Sequence, residues 1–325
     1  MTTEELELDN LDGVGAVTKA KLEEASIRNI MDLLIRGPHG IIDVTGMDMD
    51  KATTLCNKAR LKLVELGILG HDFVTATEIY EKRKDIERIS TGTKNIDDLL
   101  AGGFETKAIT ELYGEFGSGK TQLCHTLCVM VQLPKEQGGL DGGAIYIDTE
   151  GTFRPERIYS IAQAKGIDPE KALEKILVAK AYNSAHQELI IEDINRVVEE
   201  NKSKLLIVDS AVAHYRAEFL GRGTLADRQQ RLNKHMHLLL RIADTLGIAV
   251  IVTNQVMSSP DSFYGDPIKA VGGNVVSHTS TYRVYLKKAG RNRIARMVDS
   301  PYHAEREVVF TLTDSGVADP EEKKK

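Results

Sequence analysis

The feature that most constrains the fold of this chain is the stretch Gly-Glu-Phe-Gly-Ser-Gly-Lys-Thr at residues 114–121. An apolar run, 108–113, precedes it, and residues 121–131 follow without Gly or Pro. A strand, a glycine-rich loop and a helix in this order direct backbone N–H groups and the positive end of the helix at an anion. The spacing G-x-x-x-x-G-K-[ST] is typical of loops that hold nucleotide phosphates, with Lys120 on the phosphates and Thr121 on Mg²⁺. A glycine-rich turn without a ligand is the alternative, and the flanking patterns argue against it.

Short apolar runs alternate with helix-like segments from about Thr91 to Asp319, which predicts an α/β domain whose parallel sheet is covered on both faces. The expected strands are 108–113, 144–148, 176–181, 205–209 and 248–255, and the expected helices include 188–200 and 224–246. Three further β-rich runs, 282–287, 294–298 and 307–312, are candidates to extend the sheet. Ligands of such sheets bind at the carboxyl ends of the strands.

A smaller unit with a helical pattern precedes this domain. A Gly-x-Gly turn at 13–15 and a weaker copy at 46–48, where Gly-Met-Asp stands, suggest helix–hairpin–helix turns that offer N–H groups to DNA phosphates. A plain helical bundle for protein contacts is the alternative. The expected division is a helix–hairpin–helix domain at 1–66, a linker at 67–90 and a nucleotide-binding domain at 91–325.

Charge and composition narrow the class of protein. The hydrophobic fraction of 42% supports a packed core, and no stretch approaches the ~18 uncharged apolar residues of a membrane span. The N-terminus has no signal-peptide pattern, and the three cysteines have no zinc-ligand spacing, so the reducing cytoplasm is the expected compartment. The net charge of −6 argues against a generally basic protein, so any nucleic-acid site must be local.

Carboxylates follow two of the expected strands. Hydrolysis of a nucleotide requires one carboxylate near the metal and another group that orients or deprotonates water. Asp209 ends one apolar run, while Asp148 and Glu150 end another at alternate positions and so share a face. Spacing alone leaves open which acid faces the metal and which the water, and each could be a solvated strand end.

Five longer motifs carry a resemblance to a known family. They are Gly-Glu-Phe-Gly-Ser-Gly-Lys-Thr-Gln (114–122), Asp-Thr-Glu-Gly-Thr-Phe-Arg-Pro-Glu-Arg (148–157), Gly-Arg-Gly-Thr-Leu-Ala-Asp-Arg-Gln-Gln (221–230), Thr-Asn-Gln-Val (253–256) and Val-Gly-Gly-Asn (271–274). Over nearly its whole length the chain resembles the RecA-type strand-exchange ATPases of archaea and their eukaryotic homologues. This resemblance implies a RecA-like P-loop ATPase core, ATP and Mg²⁺ as ligands, and strand exchange between single-stranded DNA and homologous double-stranded DNA in recombination and repair.

The resemblance also implies roles for single residues. Glu150 would activate water, Asp209 would hold Mg²⁺ together with Thr121, and Gln255 would sense the γ-phosphate. The nucleotide-binding residues implied are Gly114, Glu115, Phe116, Gly117, Ser118, Gly119, Lys120, Thr121, Arg157, His278, Asp299 and Pro301, with Glu150, Lys120 and Gln255 catalytic. Arg157 would lie against the adenine, and Asp299 and Pro301 would cap the nucleotide of a neighbouring subunit. A monovalent cation such as K⁺ near Asp299 is an additional candidate.

Two segments are candidates for DNA binding. Residues 216–234 carry a net charge of +3, which by itself favours a solvated helix face. The resemblance instead implies a DNA loop whose Arg216, Arg222 and Arg228 bind phosphates. Residues 256–276, which include Phe263 and Tyr264, match the second DNA loop, with Gly272, Gly273 and Asn274 as contacts. Archaeal members frequently have His where Asn274 stands.

The linker contains a candidate assembly motif. Phe73 and Ala76 match the family's Phe-x-x-Ala sequence, in which a linker strand joins the next subunit's sheet. Such head-to-tail contacts build rings or filaments. A phenylalanine that packs on its own domain is the alternative. For the whole chain, the alternatives to a recombinase are a mediator paralogue, which loads a recombinase without exchanging strands, and a hexameric helicase or related motor.

Overall fold

A computed structural model describes residues 3–258 and 268–321, and the chain divides into two compact units, Met1–Ile86 and Glu87–Lys325. The boundary between the units falls inside the segment expected to be a linker. That segment also contains a helix, Ala76–Lys84, which the sequence pattern did not indicate. The expected division into three parts stays a prediction.

The first unit is built from helices, as its sequence pattern predicts. They are α1 (Ala16–Glu24), α2 (Ile30–Thr45), α3 (Met49–Glu65) and α4 (Ala76–Lys84). Gly13, with φ of 96°, lies in the turn before α1 and adopts a conformation that favours glycine. Gly46 ends α2 in the left-handed region, and Asp48 begins α3 by accepting a hydrogen bond from the Lys51 N–H at 2.8 Å. The second turn thus differs from a Gly-x-Gly hairpin, and DNA contact by either turn stays a prediction.

The second unit alternates strands and helices. Its strands are β1 (Arg88–Ile89), β2 (Phe104–Glu105), β3 (Ala108–Gly114), β4 (Gly143–Asp148), β5 (Ile176–Lys180), β6 (Ser203–Asp209), β7 (Ala249–Asn254), β8 (Val256–Ser258), β9 (Ile268–Ala270), β10 (Tyr282–Ala289), β11 (Asn292–Asp299), β12 (Glu307–Thr313) and β13 (Gly316–Ala318). Its helices are α5 (Lys94–Leu99), α6 (Lys120–Met130), α7 (Pro155–Ala164), α8 (Pro169–Glu174), α9 (Ser184–Glu192), α10 (Ile194–Glu200), α11 (Ala213–Glu218), α12 (Leu225–Leu246) and α13 (Asn274–Thr279).

Nine of the described strands form one sheet in the order β13-β12-β11-β10-β3-β7-β6-β4-β5. The six strands from β10 to β5 are parallel, and β11, β12 and β13 extend the sheet antiparallel. Helix α6 packs on β3, β4, β6 and β7, and α12 packs on β3 and β7. Every residue of β3, β4 and β7 is buried, as expected when both faces of a parallel sheet are covered. The predicted fold class is confirmed.

One expected helix is wrong. Residues 188–200 were expected to form a single helix, but α9 and α10 meet at Asp193. Asp193 has φ of −99° and ψ of 6°, and its carboxylate accepts a hydrogen bond from Arg196 Nη2 at 3.0 Å. Aspartate side chains compete with helical backbone bonding and favour helix ends, which explains a break that the apolar pattern does not reveal.

The last described residues hold the first helix of the second unit. The carboxylate of Asp319 accepts hydrogen bonds from the Lys94 N–H at 2.8 Å and the Asn95 N–H at 3.0 Å. The Asn95 amide in turn donates to the Val309 carbonyl at 2.8 Å. These bonds satisfy N–H groups that α5 cannot pair internally.

Cys56, Cys124 and Cys128 are buried free thiols, and burial raises the pKa of the Cys124 thiol. Such cysteines behave as small apolar residues, in agreement with their spacing. Within residues 3–258 and 268–321, no helix combines the length and the apolar composition needed to cross a bilayer.

Candidate functional site

The glycine-rich loop joins β3 to α6 at the carboxyl end of the sheet. A side chain at Gly114 would place its Cβ 2.1 Å from the Leu286 carbonyl oxygen, so only glycine fits there. Gly119, with φ of 105°, precedes α6, whose first N–H groups have no partner within the helix. Lys120 Nζ donates to the carbonyls of Gly114 at 2.8 Å and Glu115 at 3.0 Å, and burial lowers the pKa of this amine. The loop is therefore preformed for an anion.

A cavity of about 480 Å³ opens over this loop. Its walls are formed by the phosphate loop, the start of α6, the residues at or just after the ends of β4, β6 and β7, and single residues of β11 and β12. They include Thr121, Glu150, Asp209, Gln255 and Arg293. Phe116 projects fully into solvent at the rim. The Ser118 hydroxyl is buried and has no hydrogen-bond partner among the described residues. The cavity thus brings together the predicted phosphate loop, the acids Glu150 and Asp209, and Gln255.

Asp209 lies at the end of β6, opposite Asp148 on β4 in the strand register. It is 4% exposed, and its carboxylate accepts hydrogen bonds from Thr121 Oγ1 at 2.8 Å, from the Tyr146 hydroxyl and from Thr253 Oγ1. Mg²⁺ is usually held by one or two protein oxygens together with substrate phosphates. Thr121 and Asp209 fit that donor set, and the described residues contain no cluster of three His, Cys, Asp or Glu that could hold a metal without a nucleotide.

Asp148 has a different environment. Its carboxylate accepts backbone hydrogen bonds from Gly151 at 2.8 Å, Thr152 at 3.0 Å and Phe153 at 3.1 Å. Because these bonds use both of its oxygens, Asp148 anchors the loop that presents Glu150. Of the three acids considered, geometry favours Asp209 for the metal and Glu150 for the water, although these roles stay predictions.

Gln255 connects the cavity to the second candidate DNA loop. Its Nε2 donates to Glu150 Oε1 at 3.1 Å, and its backbone carbonyl accepts from the Val271 N–H at 2.9 Å. Next to it, Asn254 donates to the Val271 carbonyl at 2.6 Å and to the buried Glu111 at 2.8 Å. A movement of Glu150 can therefore be transmitted to Val271 through Gln255.

Arg157 lies beside a second cavity of about 420 Å³, which shares Gln122 and Thr152 with the first. Its Nε donates to Gln122 Oε1 at 2.7 Å, and its guanidinium also donates to the backbone carbonyls of Asp314, at 2.8 Å, and Thr313. These bonds fix the guanidinium next to the phosphate loop. Contact with an adenine stays a prediction.

Three predicted nucleotide residues lie away from the cavity. His278 is exposed on α13, and Asp299 and Pro301 are exposed at the end of β11. In the sheet, Asp299 pairs with Arg283, and Arg283 pairs with Glu111 of β3. Glu111 lies three residues before Gly114, which is about 10 Å along the strand. These residues do not line the cavity over their own phosphate loop.

The first candidate DNA segment borders the catalytic residues. Arg216 is exposed on α11 and lines a cavity of about 400 Å³ together with Glu150, Gln255 and Val271. Arg228 is half-buried on α12. Arg222 begins a short 3₁₀ turn, and its side chain lies outside the described part of the chain.

Arg231 has a structural role. It donates to both carboxylate oxygens of Glu188, at 3.1 and 2.8 Å, and Glu188 also accepts from the Tyr215 hydroxyl at 2.8 Å. The charge of Arg231 is therefore balanced by Glu188. The positive charge that residues 216–234 can offer to DNA is smaller than the net +3 counted from the sequence.

The second candidate DNA loop is described only at its base. Strands β8 and β9 pair antiparallel, Gly272 is buried with φ of 91°, and Gly273 and Asn274 are exposed at the start of α13. Phe263 and Tyr264 lie outside the described residues.

The assembly motif is accessible. Phe73 is 96% exposed, so it does not pack on its own domain as the alternative required. Ala76 is exposed at the start of α4, where Thr75 Oγ1 accepts from the Glu78 N–H at 3.2 Å. The Phe73 side chain is thus available for a contact with a neighbouring subunit, which stays a prediction.

Comparison with known proteins decides the family. The Rad51 family model matches residues 82–320. The chain belongs to the Rad51 family. The DNA repair and recombination protein RadA of Cenarchaeum symbiosum (strain A) is 53% identical over 323 residues, which cover 99% of this chain and 81% of that protein.

The structure adds residues to this Rad51-family site that sequence analysis missed. Arg293 Nε donates to the Gly117 carbonyl at 3.0 Å and lines the cavity, yet no motif contains it. Tyr146 and Thr253 hold Asp209. Tyr146 lies two residues before Asp148 on β4. Because side chains two residues apart share one face of a strand, the sequence could have placed Tyr146 on the same face as Asp148.

Two buried histidines are expected to make the free energy of unfolding of this Rad51-family chain depend on pH. Burial lowers the pKa of His125 and of His235 to about 4. Because unfolded histidine titrates near 6.5, the unfolded state binds more protons between about pH 6.5 and 4. The free energy of unfolding should therefore fall as pH is lowered through this window, by on the order of 3 kcal/mol per histidine.

Urea denaturation at pH 7.5, 6.5 and 5.0 measures this effect. His125 has no hydrogen-bond partner on either ring nitrogen among the described residues, so His125→Phe combined with His235→Gln should give a much shallower loss. His237→Asn, at an exposed position of the same helix α12, should lose stability like the wild type. If the free energy of unfolding of the double variant falls with pH as steeply as that of the wild type, the loss of stability is due to carboxylates and not to these histidines.

Proposed function

We propose that this chain is an ATP-dependent DNA strand-exchange recombinase that forms helical filaments on single-stranded DNA in homologous recombination and double-strand break repair. Membership of the Rad51 family supports the use of a nucleotide and a divalent metal, DNA-dependent ATPase activity, DNA binding and self-association. The RadA relative is named for DNA repair and recombination. The observation that carries the proposal is Gln255, which bonds Glu150 by its side chain and the base of a candidate DNA loop by its backbone.

In hydrolysis, the residues around the 480 Å³ cavity act on the phosphates and on a water molecule. The N–H groups of the loop and Lys120 would bind the phosphates, while Thr121 and Asp209 would hold Mg²⁺, which would neutralise phosphate charge. Glu150 accepts a proton from the attacking water at Oε1 or Oε2. Asp148 keeps the Glu150 loop in place through its backbone hydrogen bonds.

Coupling to DNA follows from the walls of the 400 Å³ cavity, which join Glu150 and Gln255 to Arg216 and Val271. Arg216, Arg222 and Arg228 bind the phosphates of one strand, while the exposed Gly273 and Asn274 approach its backbone and the buried Gly272 supports them. Gln255, which donates to Glu150, would respond to the presence or absence of a γ-phosphate and so change the DNA-binding state. ATP thus acts as a switch, while base pairing tests homology.

The nucleotide site is completed between protomers. His278, Asp299 and Pro301 are exposed and lie away from their own phosphate loop, so they can serve the nucleotide of a neighbour. Phe73 and Ala76 join the neighbouring core by strand addition, and K⁺ near Asp299 is part of the proposed shared site. Recombination mediators are proposed partners, and the proposed location is the cytoplasm in association with the nucleoid.

Strand exchange tests the function directly. A single-stranded oligonucleotide is incubated with the protein, ATP, Mg²⁺ and a labelled duplex that is either homologous or unrelated. Product that requires both homology and ATP is the expected result. Binding of DNA and ATP without product, across a range of salt and Mg²⁺ concentrations, would identify a mediator. Unwinding of the unrelated duplex, together with rings in negative-stain images, would identify a motor.

A further inference from the structure

The segment between β11 and β12 begins at the residues proposed to cap a neighbour's nucleotide, and Ser300 shapes it. Ser300 Oγ accepts hydrogen bonds from the backbone N–H groups of Tyr302 at 3.2 Å and His303 at 3.0 Å. The same oxygen lies 2.8 Å from His303 Nδ1. A serine hydroxyl bound to N–H groups two and three residues ahead forms a turn. Contacts within residues 300–303 therefore set the direction of the chain at Asp299 and Pro301.

Tyr302 ties this turn to the body of the unit. Its hydroxyl donates to Glu105 Oε2 at 3.1 Å, and Arg88 Nη2 donates to the Tyr302 oxygen at 3.3 Å and to Glu105 Oε2 at 3.0 Å. Glu105 is only 5% exposed, so its carboxylate depends on these donors. Hydrogen bonds to a carboxylate are stronger than those between neutral groups.

Aromatic contacts hold the same turn from a second direction. The ring centroids of Tyr302 and His303 are 4.0 Å apart, and the Tyr282 ring lies 5.5 Å from His303 and 6.1 Å from Tyr302. Tyr282 is buried at the start of β10, in the middle of the sheet. The turn is thus anchored to the parallel part of the sheet as well as to Glu105.

Arg88 connects this anchor to the assembly motif. Arg88 begins β1, where it pairs with Glu105 of β2, and it is the second residue of the unit that starts at Glu87. The chain therefore passes directly from the segment that carries Phe73 and Ala76 to the side chain that contacts Tyr302. In the proposed filament, both that segment and the Asp299 turn contact neighbouring copies.

We infer that Tyr302 is a positioning residue, which holds Asp299 and Pro301 where one protomer completes the ATP site of the next. Arg88 and Glu105 link this position to the chain that leaves the assembly motif. The partner is a second copy of this chain with ATP bound. This inference rests on the proposed function, because it requires a nucleotide site shared between protomers.

The test removes only the anchoring hydroxyl. Tyr302→Phe should raise the KM for ATP of the DNA-assembled protein by up to about five- to tenfold, because the turn that carries Asp299 and Pro301 loses one hydrogen bond to a carboxylate and that bond sets the upper limit. The kcat should stay within roughly twofold, because the groups that hydrolyse ATP are unchanged. Tyr159→Phe on α7 is the matched control, since Tyr159 is 45% exposed and Tyr302 49%; its KM should equal that of the wild type.

A second background separates contacts between protomers from contacts within one. In Phe73→Ala protein, which should not assemble, Tyr302→Phe should leave the affinity for a fluorescent ATP analogue unchanged. Ser300→Ala, which removes the hydroxyl of the turn, should reproduce the KM increase in assembled protein and decides the question if Tyr302→Phe does not fold.

Three results would overturn the inference. An unchanged KM for folded Tyr302→Phe in filaments would leave the Tyr302 anchor with a structural role alone. An equal loss of affinity in the unassembled background would place its effect within one protomer. Sedimentation showing normal assembly of Phe73→Ala would contradict the proposed interface itself, whatever the Tyr302 variants do.

Discussion

Replacement of Lys120 by alanine is expected to lower the affinity for ATP by on the order of a hundredfold and to abolish strand exchange. Lys120 Nζ is held over the loop by the carbonyls of Gly114 and Glu115, and it is the cation of the glycine-rich loop. Burial already lowers the pKa of this amine, so a phosphate that restores a strong counter-charge binds it with a large gain. Alanine removes that charge and leaves the loop backbone in place.

Titration with a fluorescent ATP analogue measures the affinity, and the oligonucleotide assay measures exchange. Lys171→Ala on the surface of α8 removes the same charge from a side chain that is 76% exposed, and it should behave like the wild type. Binding of single-stranded DNA without nucleotide should be similar in all three proteins, because Lys120 lies outside both candidate DNA segments. Tight ATP binding by the Lys120 variant would contradict the assignment of the phosphate loop.

Replacement of Glu150 by glutamine is expected to lower the rate of ATP hydrolysis by about 10²- to 10³-fold, while ATP binding is retained. The glutamine keeps the shape of the side chain but cannot accept the proton of the attacking water. The bond from Gln255 to residue 150 can persist through the amide oxygen, so the link to the DNA loop should survive. Filaments on single-stranded DNA should therefore persist longer than those of the wild type.

Phosphate release at saturating ATP and single-stranded DNA gives the hydrolysis rate, and fluorescence anisotropy gives the lifetime on DNA. Glu174→Gln is the control, because Glu174 is exposed at the end of α8 and lines neither of the two cavities beside the phosphate loop. A near-normal rate in the Glu150 variant would show that another group activates the water. Asp148 is a poor substitute, since its oxygens are occupied by backbone N–H groups.

Much of the fold was predictable because its strands are short apolar runs that end at recognisable positions. The runs that end at Asp148 and Asp209 are strands β4 and β6, and both acids lie at the carboxyl edge, as expected for a parallel sheet. The break at Asp193 was not predictable, because apolar periodicity continues through it and a single side-chain hydrogen bond marks it.

The candidate site likewise has a part that the sequence predicts and a part that depends on the fold. The phosphate loop was evident from a local pattern, since the four positions that define it, Gly114, Gly119, Lys120 and Thr121, lie within eight consecutive residues. The different environments of Asp148 and Asp209 depend on where Thr121 and the 151–153 backbone lie in space. Arg293 reaches the loop from a strand that is remote in sequence. Such contacts follow from strand register, which no single segment specifies.

The bond between Asp319 and α5 has a consequence for engineering. Because it places the last described residues of the ATPase core against a helix that begins seven residues after Glu87, a connector of roughly ten residues could join those two ends. The chain could then be reopened at the turn around Gly290, which has φ of 61° and, within the described part of the chain, no atom within 4 Å of where a Cβ would lie. A circularly permuted core of this kind would carry its new termini away from the segment that follows the assembly motif. Arg293, three residues after Gly290, donates to the Gly117 carbonyl, so fluorescent reporters fused there would lie near the phosphate loop and could report on the proposed contact between protomers.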